Sequence, residues 1–322
     1  MILAAGLGTR LRPLTDRIPK PAIPFLNIPM LLFNEFLLRE LAPESLVINT
    51  HHLPGLVRAL EPRLSVKNVK WSDEQPQVLG SGGGIWKARA LLEGSGDFVV
   101  CNGDNILLPA EIGLLRKMWD SHKASRPLAT LLVIEHPEAG RQFNAVWADA
   151  GGNLLAIGKK SPGAGARPFH FVGVQIFSEE IFKILPAGES DIFRGVLLPA
   201  LEKGAKIAVH PIKATWYETG DEVSYLNATW GALAFFNGRN TGPGMLVLEQ
   251  VLKTHGPGMR FERSTGAFMA PGASVSTDSK LSGVVVLGHD VQVLGGTVLE
   301  NVVVIEKTVI SDGLTHRNRI IF

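Results

Sequence analysis

The chain has one cysteine, Cys101, in 322 residues. An internal disulfide framework is therefore excluded, which fits a reducing, cytoplasmic setting. No apolar run reaches the roughly 20 residues that a membrane-spanning helix needs. The N-terminus lacks the basic region and small-residue cleavage site of a signal peptide. Neither sign of charge dominates, with 32 Lys and Arg against 30 Asp and Glu. No global field favours nucleic acid or a membrane surface, so any preference for anions must be local. The glycine-rich turn GLGTR has no third glycine of a dinucleotide fingerprint, and no GK[ST] follows it, so it is not a P-loop.

Glycine, by contrast, is plentiful at 35 residues, and 45% of the chain is hydrophobic. The length suits two domains, or one large domain with an appendage. The first third alternates short apolar runs with helical patterns. MILAA, SLVINT (45–50), VKWSD (69–73) and DFVVCNGD (97–104) read as strands. MLLFNEFLLREL (30–41) places Leu32, Phe33, Phe36, Leu37 and Leu41 on one helical stripe. A helix begins near Pro54, and IWKARALLEG (85–94) is a helix closed by Gly94. This alternation predicts an α/β fold with a doubly wound sheet. Ligands of such sheets lie beyond the carboxyl ends of the strands. Gly6–Arg10, Gln75–Gly84 and Asn102–Asp104 all fall on that one edge.

From about Gly266 aliphatic residues recur every six residues: Val285 and Val291, then Val298, Val304 and Ile310 after a one-residue slip. Glycine, asparagine and aspartate fall between them. This period predicts short strands wound as a parallel β-helix.

Gly6 and Gly8 let backbone N–H groups approach phosphate oxygens. Arg10 offers a planar fork of donors, and Lys20 a compact charge between two prolines. LGSGGGI (79–85) is a second glycine loop leading into a helix N-terminus, where anions are favoured. Asp104 ends an apolar strand and needs a cation, for which Mg²⁺ is the natural choice. Adjacent His51 and His52 point to opposite faces of an extended chain and do not chelate one metal. Cys101 is expected in the core, and Trp71 and Trp86 in the core or a pocket wall.

These motifs resemble the sugar-1-phosphate nucleotidyltransferases, or NDP-sugar pyrophosphorylases. LAAGLGTRLRPLTDRIPKP is similar to their N-terminal signature, LGSGGGI to their second loop and FVVCNGD to their metal-binding strand. HFVGVQIFS (170–178) resembles the sugar-pocket strand, and WYETGDEVSYLNA (216–228) the block with a second metal ligand. The tail resembles the left-handed β-helix of many members. The resemblance implies a Rossmann-like mixed sheet as a catalytic domain over 1–232, a connection over 233–263 and the β-helix over 264–322. The substrates implied are a nucleoside triphosphate and a sugar 1-phosphate. Leu3, Ala4, Ala5, Gly6, Gly8 and Thr9 would line the nucleotide, with Gln75 reading the base and Gly80 and Ser81 beneath it. Arg10, Lys20 and Asp104 would be catalytic, and Asp104 and Glu218 would hold Mg²⁺. Asn144, Lys160 and Gly173 would meet the sugar phosphate. Within the family the likeness is greatest to mannose-1-phosphate guanylyltransferases, with N-acetylmuramate-1-phosphate uridylyltransferases close behind. A homo-oligomer is compatible with the tail; no nucleic-acid or membrane partner is expected.

Three positions depart from the family pattern. Glu218 stands for the usual Asp, Asp221 for the usual Thr, and Lys159 where a sugar-binding Glu is expected. A lysine there favours a sugar that carries its own negative charge. Loss of the site would leave a regulatory homologue, but Arg10, Lys20 and Asp104 are all present and favour an enzyme.

Overall fold

The four apolar runs of the first third become neighbouring parallel strands in a computed structural model, which describes residues 1–236, 238–240 and 242–322. Asn237 and Thr241, in the expected connection, lie outside the described residues. The strands are β1 (Ile2–Leu3), β2 (Leu46–Thr50), β3 (Val69–Asp73) and β4 (Phe98–Asn102). Their order is β3-β2-β1-β4. Ile2 pairs with Ile48 on one side and Cys101 on the other, both in parallel. The strand order reverses at β1, so the crevice at its carboxyl end is the expected ligand position.

Beyond β4 the sheet becomes mixed. The strands that follow in the chain are β5 (Ile106–Pro109), β6 (Ala129–Ile134), β7 (Ala145–Ala148), β8 (Leu154–Gly158), β9 (Arg167–Phe177), β10 (Ile207–Ile212) and β11 (Ala214–Tyr217), of which β6 to β10 extend this sheet. The long strand β9 runs antiparallel to β4, β6 and β7. β5 and β11 form a separate antiparallel pair with Ile106 opposite Tyr217. This register sets Asp104, just before β5, beside the residues just after β11.

Helix α1 (Met30–Leu38) is buried almost all round rather than along one stripe, because sheet and tail share a single core cluster against it. Helix α2 spans Pro54–Arg58. Helix α3 (Gly80–Lys87) starts inside the glycine segment that the sequence suggests is a loop. A separate short turn, Arg89–Leu92, follows, and Gly94 has φ 88°.

The tail strands are β12 (Ala267–Met269), β13 (Ser274–Val275), β14 (Lys280–Leu287), β15 (Gln292–Val293), β16 (Val298–Val304), β17 (Val309–Ile310) and β18 (Thr315–Ile321). They stack in parallel. Lys280 pairs with Val298 and Val298 with Thr315, offsets of 18 and 17 residues, close to three hexapeptides. Val285, Val291, Val304 and Ile310 all point into one apolar cluster. Gly283, Asn301 and Asn318 stack at a corner with φ 67°, 54° and 47°. The Asn301 amide donates to Asn318 Oδ1 at 3.0 Å, so left-handed residues share a side-chain ladder. Helix α4 (Glu222–Phe236) packs against this stack, and Glu222 accepts from the Ile320 N–H at 2.7 Å. Helix α5 (Met245–His255) buries Val247, Leu248 and Val251 in the main core. No helix among the described residues is long and apolar enough to cross a membrane.

Candidate active site

A cleft of about 370 Å³ opens at the carboxyl ends of β1, β2 and β4. Leu3, Ala4, Ala5, Gly6, Gly8, Thr9, Arg10, Lys20, Gly80, Ser81 and Asp104 all line it. Gly220 lines it as well, so chain stretches as distant in sequence as Leu3 and Gly220 meet on the edge where the strands end.

The turn after β1 is built for close approach. Gly8 has φ +63°, and a Cβ there would lie 2.8 Å from the Thr15 methyl. Buried Thr15 fixes the turn by donating to the Gly8 carbonyl at 2.9 Å. Gly6 is exposed, and a Cβ on it would meet no atom within 4 Å.

The cations of this wall are held by carboxylates. Lys20 Nζ lies 2.7 Å from Asp104 Oδ2, with the lysine side chain 13% exposed. The cation that Asp104 holds here is thus a residue of the chain. Arg10 lies 3.7 Å from Glu218 Oε1, but its side chain is 68% exposed and that pair is weaker. Asp221 is held below the usual carboxylate range, first by the Ser224 N–H and, among smaller causes, by the Arg10 charge. Gly220 leaves the room for Arg10 and Glu218 to meet. The Thr219 hydroxyl donates to the Asp104 carbonyl at 3.2 Å. Trp216 donates to Asn105 Oδ1 at 2.8 Å. These bonds bring the Asp104 and Glu218 segments together. No cluster of three or more metal-ligating side chains occurs among the described residues. Asp104 lines the cleft, and Glu218 lies outside its lining, beside Arg10; one or two carboxylates with waters and phosphate oxygens commonly hold Mg²⁺.

The second glycine segment differs from its reading as an anion-binding helix start. The N–H groups of Gly82 and Gly83 both donate to the Ser190 carbonyl, at 2.9 and 3.2 Å. The Leu79 N–H donates to Glu74 Oε2 at 2.7 Å. These donors are spent inside the protein, and only Gly80 and Ser81 of this segment line the cleft. A Cβ on Gly80 would lie 2.7 Å from the Ser190 carbonyl oxygen, and one on Gly82 2.6 Å from Ser190 Oγ. Close packing therefore demands the glycines.

Gln75 is exposed and does not line the cleft; its neighbour Glu74 does, from a fully buried position. Asn49 and Asn102 also line it. The sequence reading placed Asn102 on this edge without a role and passed over Glu74 and Asn49. The available signal was polar residues inside, or directly after, apolar strands at the ligand-bearing edge.

A second cavity of about 570 Å³ contains Asn144, Gly158, His170, Phe193 and Arg194. The loop that lines it also ties to α3, since the Ile192 N–H donates to Ser81 Oγ at 2.9 Å. Gly173, with φ +75°, sits where β9 shifts register, and a Cβ there would lie 3.0 Å from Asn102 Nδ2. Gly173 thus packs directly behind Asn102 of the cleft and lines neither cavity. Lys159 and Lys160 are exposed and line neither. His170 packs 4.3 Å from Trp216 between ring centroids, and neither ring nitrogen has a hydrogen-bond partner. Burial, with a smaller contribution from His136, pushes its pKa down to about 4.

The remaining candidates are structural. His51 Nδ1 bonds the Glu74 carbonyl and His52 Nε2 the Thr15 carbonyl, both at 2.6 Å. Burial pushes the Cys101 thiol up to about 12. Trp71 donates to Glu61, and Trp86 packs beside a core cluster.

Fold and cleft together define an α/β protein that can receive a polyanion at a glycine turn. The nucleotidyl transferase family profile matches residues 1–233, and the chain belongs to that family. It is 26% identical to a UTP–glucose-1-phosphate uridylyltransferase of Synechocystis sp., over all of this chain and 86% of that one. It is 32% identical to an N-acetylmuramate α-1-phosphate uridylyltransferase of Caulobacter vibrioides, over 71% of this chain and 94% of that one. A solved structure of HddC from Yersinia pseudotuberculosis, complexed with GMP-PN, shares the fold with a TM-score of 0.57 at 23% identity. That match covers 71% of this chain and 96% of the other.

Proposed function

We propose that this protein transfers a nucleotidyl group from a nucleoside triphosphate to a sugar 1-phosphate, releasing pyrophosphate. The observation that carries the reading is the meeting of Arg10, Lys20 and Asp104 around an open glycine turn at the strand ends. A sugar-1-phosphate oxygen attacks the α-phosphorus in line, and the bond from that phosphorus to the β-phosphate bridging oxygen breaks. Arg10 and Lys20 stabilise the charge that develops, and the backbone of Ala4–Gly8 orients the nucleotide. Asp104 and Glu218 are the residues that would hold Mg²⁺, which when bound neutralises phosphate charge. The second cavity, with Asn144 at its wall, receives the sugar, and Gly173 acts from its place against Asn102 of the cleft. An acidic sugar would meet Arg194 there rather than Lys159 or Lys160.

The nucleotide reading is mannose-1-phosphate guanylyltransferase-like, a name carried by several relatives. Uridylyl transfer to N-acetylmuramate phosphate or another sugar phosphate is the second reading, favoured by the 32% identical relative. We divide the chain into a catalytic domain (1–232), a connection (233–263) and a left-handed β-helix (264–322). The 17- and 18-residue pairing of the tail supports its coiled form. Substrate chemistry and a lone buried cysteine support a cytoplasmic setting, and a mass measurement in solution tests the homo-oligomer. The test of function is pyrophosphate release with Mg²⁺ across four nucleoside triphosphates and a panel of sugar 1-phosphates. One productive pair is expected. No release from any pair would favour the regulatory homologue.

A further inference from the structure

Glu74 lines the cleft yet is fully buried, and both of its oxygens are committed. Oε1 accepts from the Asn49 amide at 2.6 Å, and Oε2 accepts from the Leu79 N–H at 2.7 Å. Asn49, itself 2% exposed, turns its oxygen the other way and accepts from the Ala4 N–H at 2.6 Å. The chain of bonds runs from the glycine-turn wall, through Asn49 and Glu74, to the residue before α3.

Its polarity is forced. A carboxylate only accepts, so Asn49 must present its NH₂ to Glu74 and its oxygen to Ala4. Both ends of the chain are backbone donors, and they belong to opposite walls of the cleft. Helix α3 presses on the pair: a Cβ on Gly84 would lie 2.6 Å from Glu74 Oε1 and 2.7 Å from Asn49 Nδ2. An unsatisfied donor here would be costly, because both side chains are buried.

We propose that Glu74 and Asn49 are positioning residues that set the spacing of Ala4 against Leu79, Gly80 and Ser81, and so hold the slot for the nucleoside triphosphate. The proposal rests on the nucleotide reading of the cleft. Neither side chain takes part in the chemistry; they act through the backbone of the two walls.

The donor pattern supplies its own test. In Glu74→Gln the new amide can accept from the Leu79 N–H, but its NH₂ then faces that of Asn49. If Asn49 turns over, its NH₂ meets the Ala4 N–H. One donor is left opposed in either arrangement. The expected result is a rise of about tenfold in the KM for the nucleoside triphosphate, equivalent to about 1.4 kcal/mol, with kcat changed less than twofold. Adding Asn49→Asp restores the pattern. The new carboxylate accepts from Ala4 and from the new amide, whose oxygen accepts from Leu79. The double variant is expected to return the KM to within about threefold of wild type, which loss of packing alone would not do. A KM unchanged in Glu74→Gln, or a folded double variant no better than the single one, overturns the proposal.

A second measurement needs no variant. In the wild-type chain the amide hydrogens of Ala4 and Leu79 should exchange slowly with and without nucleotide; fast exchange of either overturns the proposal. The wild-type kinetics separate the two ideas. Absence of turnover with every nucleotide sinks the nucleotide reading itself, and the exchange data still report whether the relay exists.

Discussion

Gly6–Gly8 and Gly80–Gly84 look alike in sequence and face each other across one cleft. In the first, a Cβ on Gly6 would meet open space, and the cations Arg10 and Lys20 follow within the same loop. In the second, the Ser190 carbonyl takes the N–H groups of Gly82 and Gly83, and added Cβ atoms at Gly80, Gly82, Gly83 and Gly84 would collide with neighbours. One wall keeps its backbone available to a ligand. The other uses its glycines to bring a helix against a loop and a buried carboxylate. Glycine richness therefore reports close approach, and the structure decides whether the approaching body is a ligand or the protein itself.

Three perturbations would break or sharpen this contrast, and a fourth tests the core behind it. Lys20→Ala on the open wall should lower kcat about 10²- to 10³-fold, a cost of about 3–4 kcal/mol in the barrier. Its melting temperature should stay near wild type, and a matching loss of stability would erase the contrast. Gly83→Ala on the packed wall should do the reverse. Its Cβ would run into the Gly188 carbonyl, and a denaturant titration should show about 3 kcal/mol of lost stability. Gly6→Ala should change stability by no more than about 0.5 kcal/mol, while the KM for the nucleotide rises; an unaltered KM would mean the turn's backbone is not approached.

The smallest effect lies away from both walls. His255 sits 3.8 Å from buried Glu35, and burial, with smaller contributions from Arg63 and Arg39, pushes its pKa down to about 4. The unfolded chain charges this ring near pH 6.5. Between those values the unfolded state binds the extra proton, so stability falls as pH drops from about 6.5 toward 4. Melting curves of His255→Gln should show a shallower fall over that window, with activity at neutral pH unchanged. A slope identical to wild type would show that the ring does not carry the linkage.

The edge that bears the site was legible because β2 and β4 are apolar runs that end in polar residues, and β1 is one that ends at a glycine turn, a pattern that parallel burial enforces. The parallel stacking of the tail strands was legible because each 17- or 18-residue step repeats the same small-corner, large-core demand. The helical start at Gly80 was not. Glycine disfavours helix by about 1 kcal/mol per residue, and only the loop at Ser190, more than a hundred residues on, compensates. Glu74 was hidden for a related reason. A charged residue after a strand reads as surface, and only its partners Asn49 and Leu79 explain its burial. Gln75 drew attention by its place in a family motif, while the cleft is lined by the residue before it.

The most direct measurement is pyrophosphate release by wild type and by Asp104→Asn, with Mg²⁺ and the best nucleotide and sugar phosphate pair. The account predicts Mg²⁺-dependent release by the wild-type chain, and at least about a hundredfold loss in the variant with folding intact. Undiminished release by Asp104→Asn, or none from the wild-type chain with any pair, would contradict it.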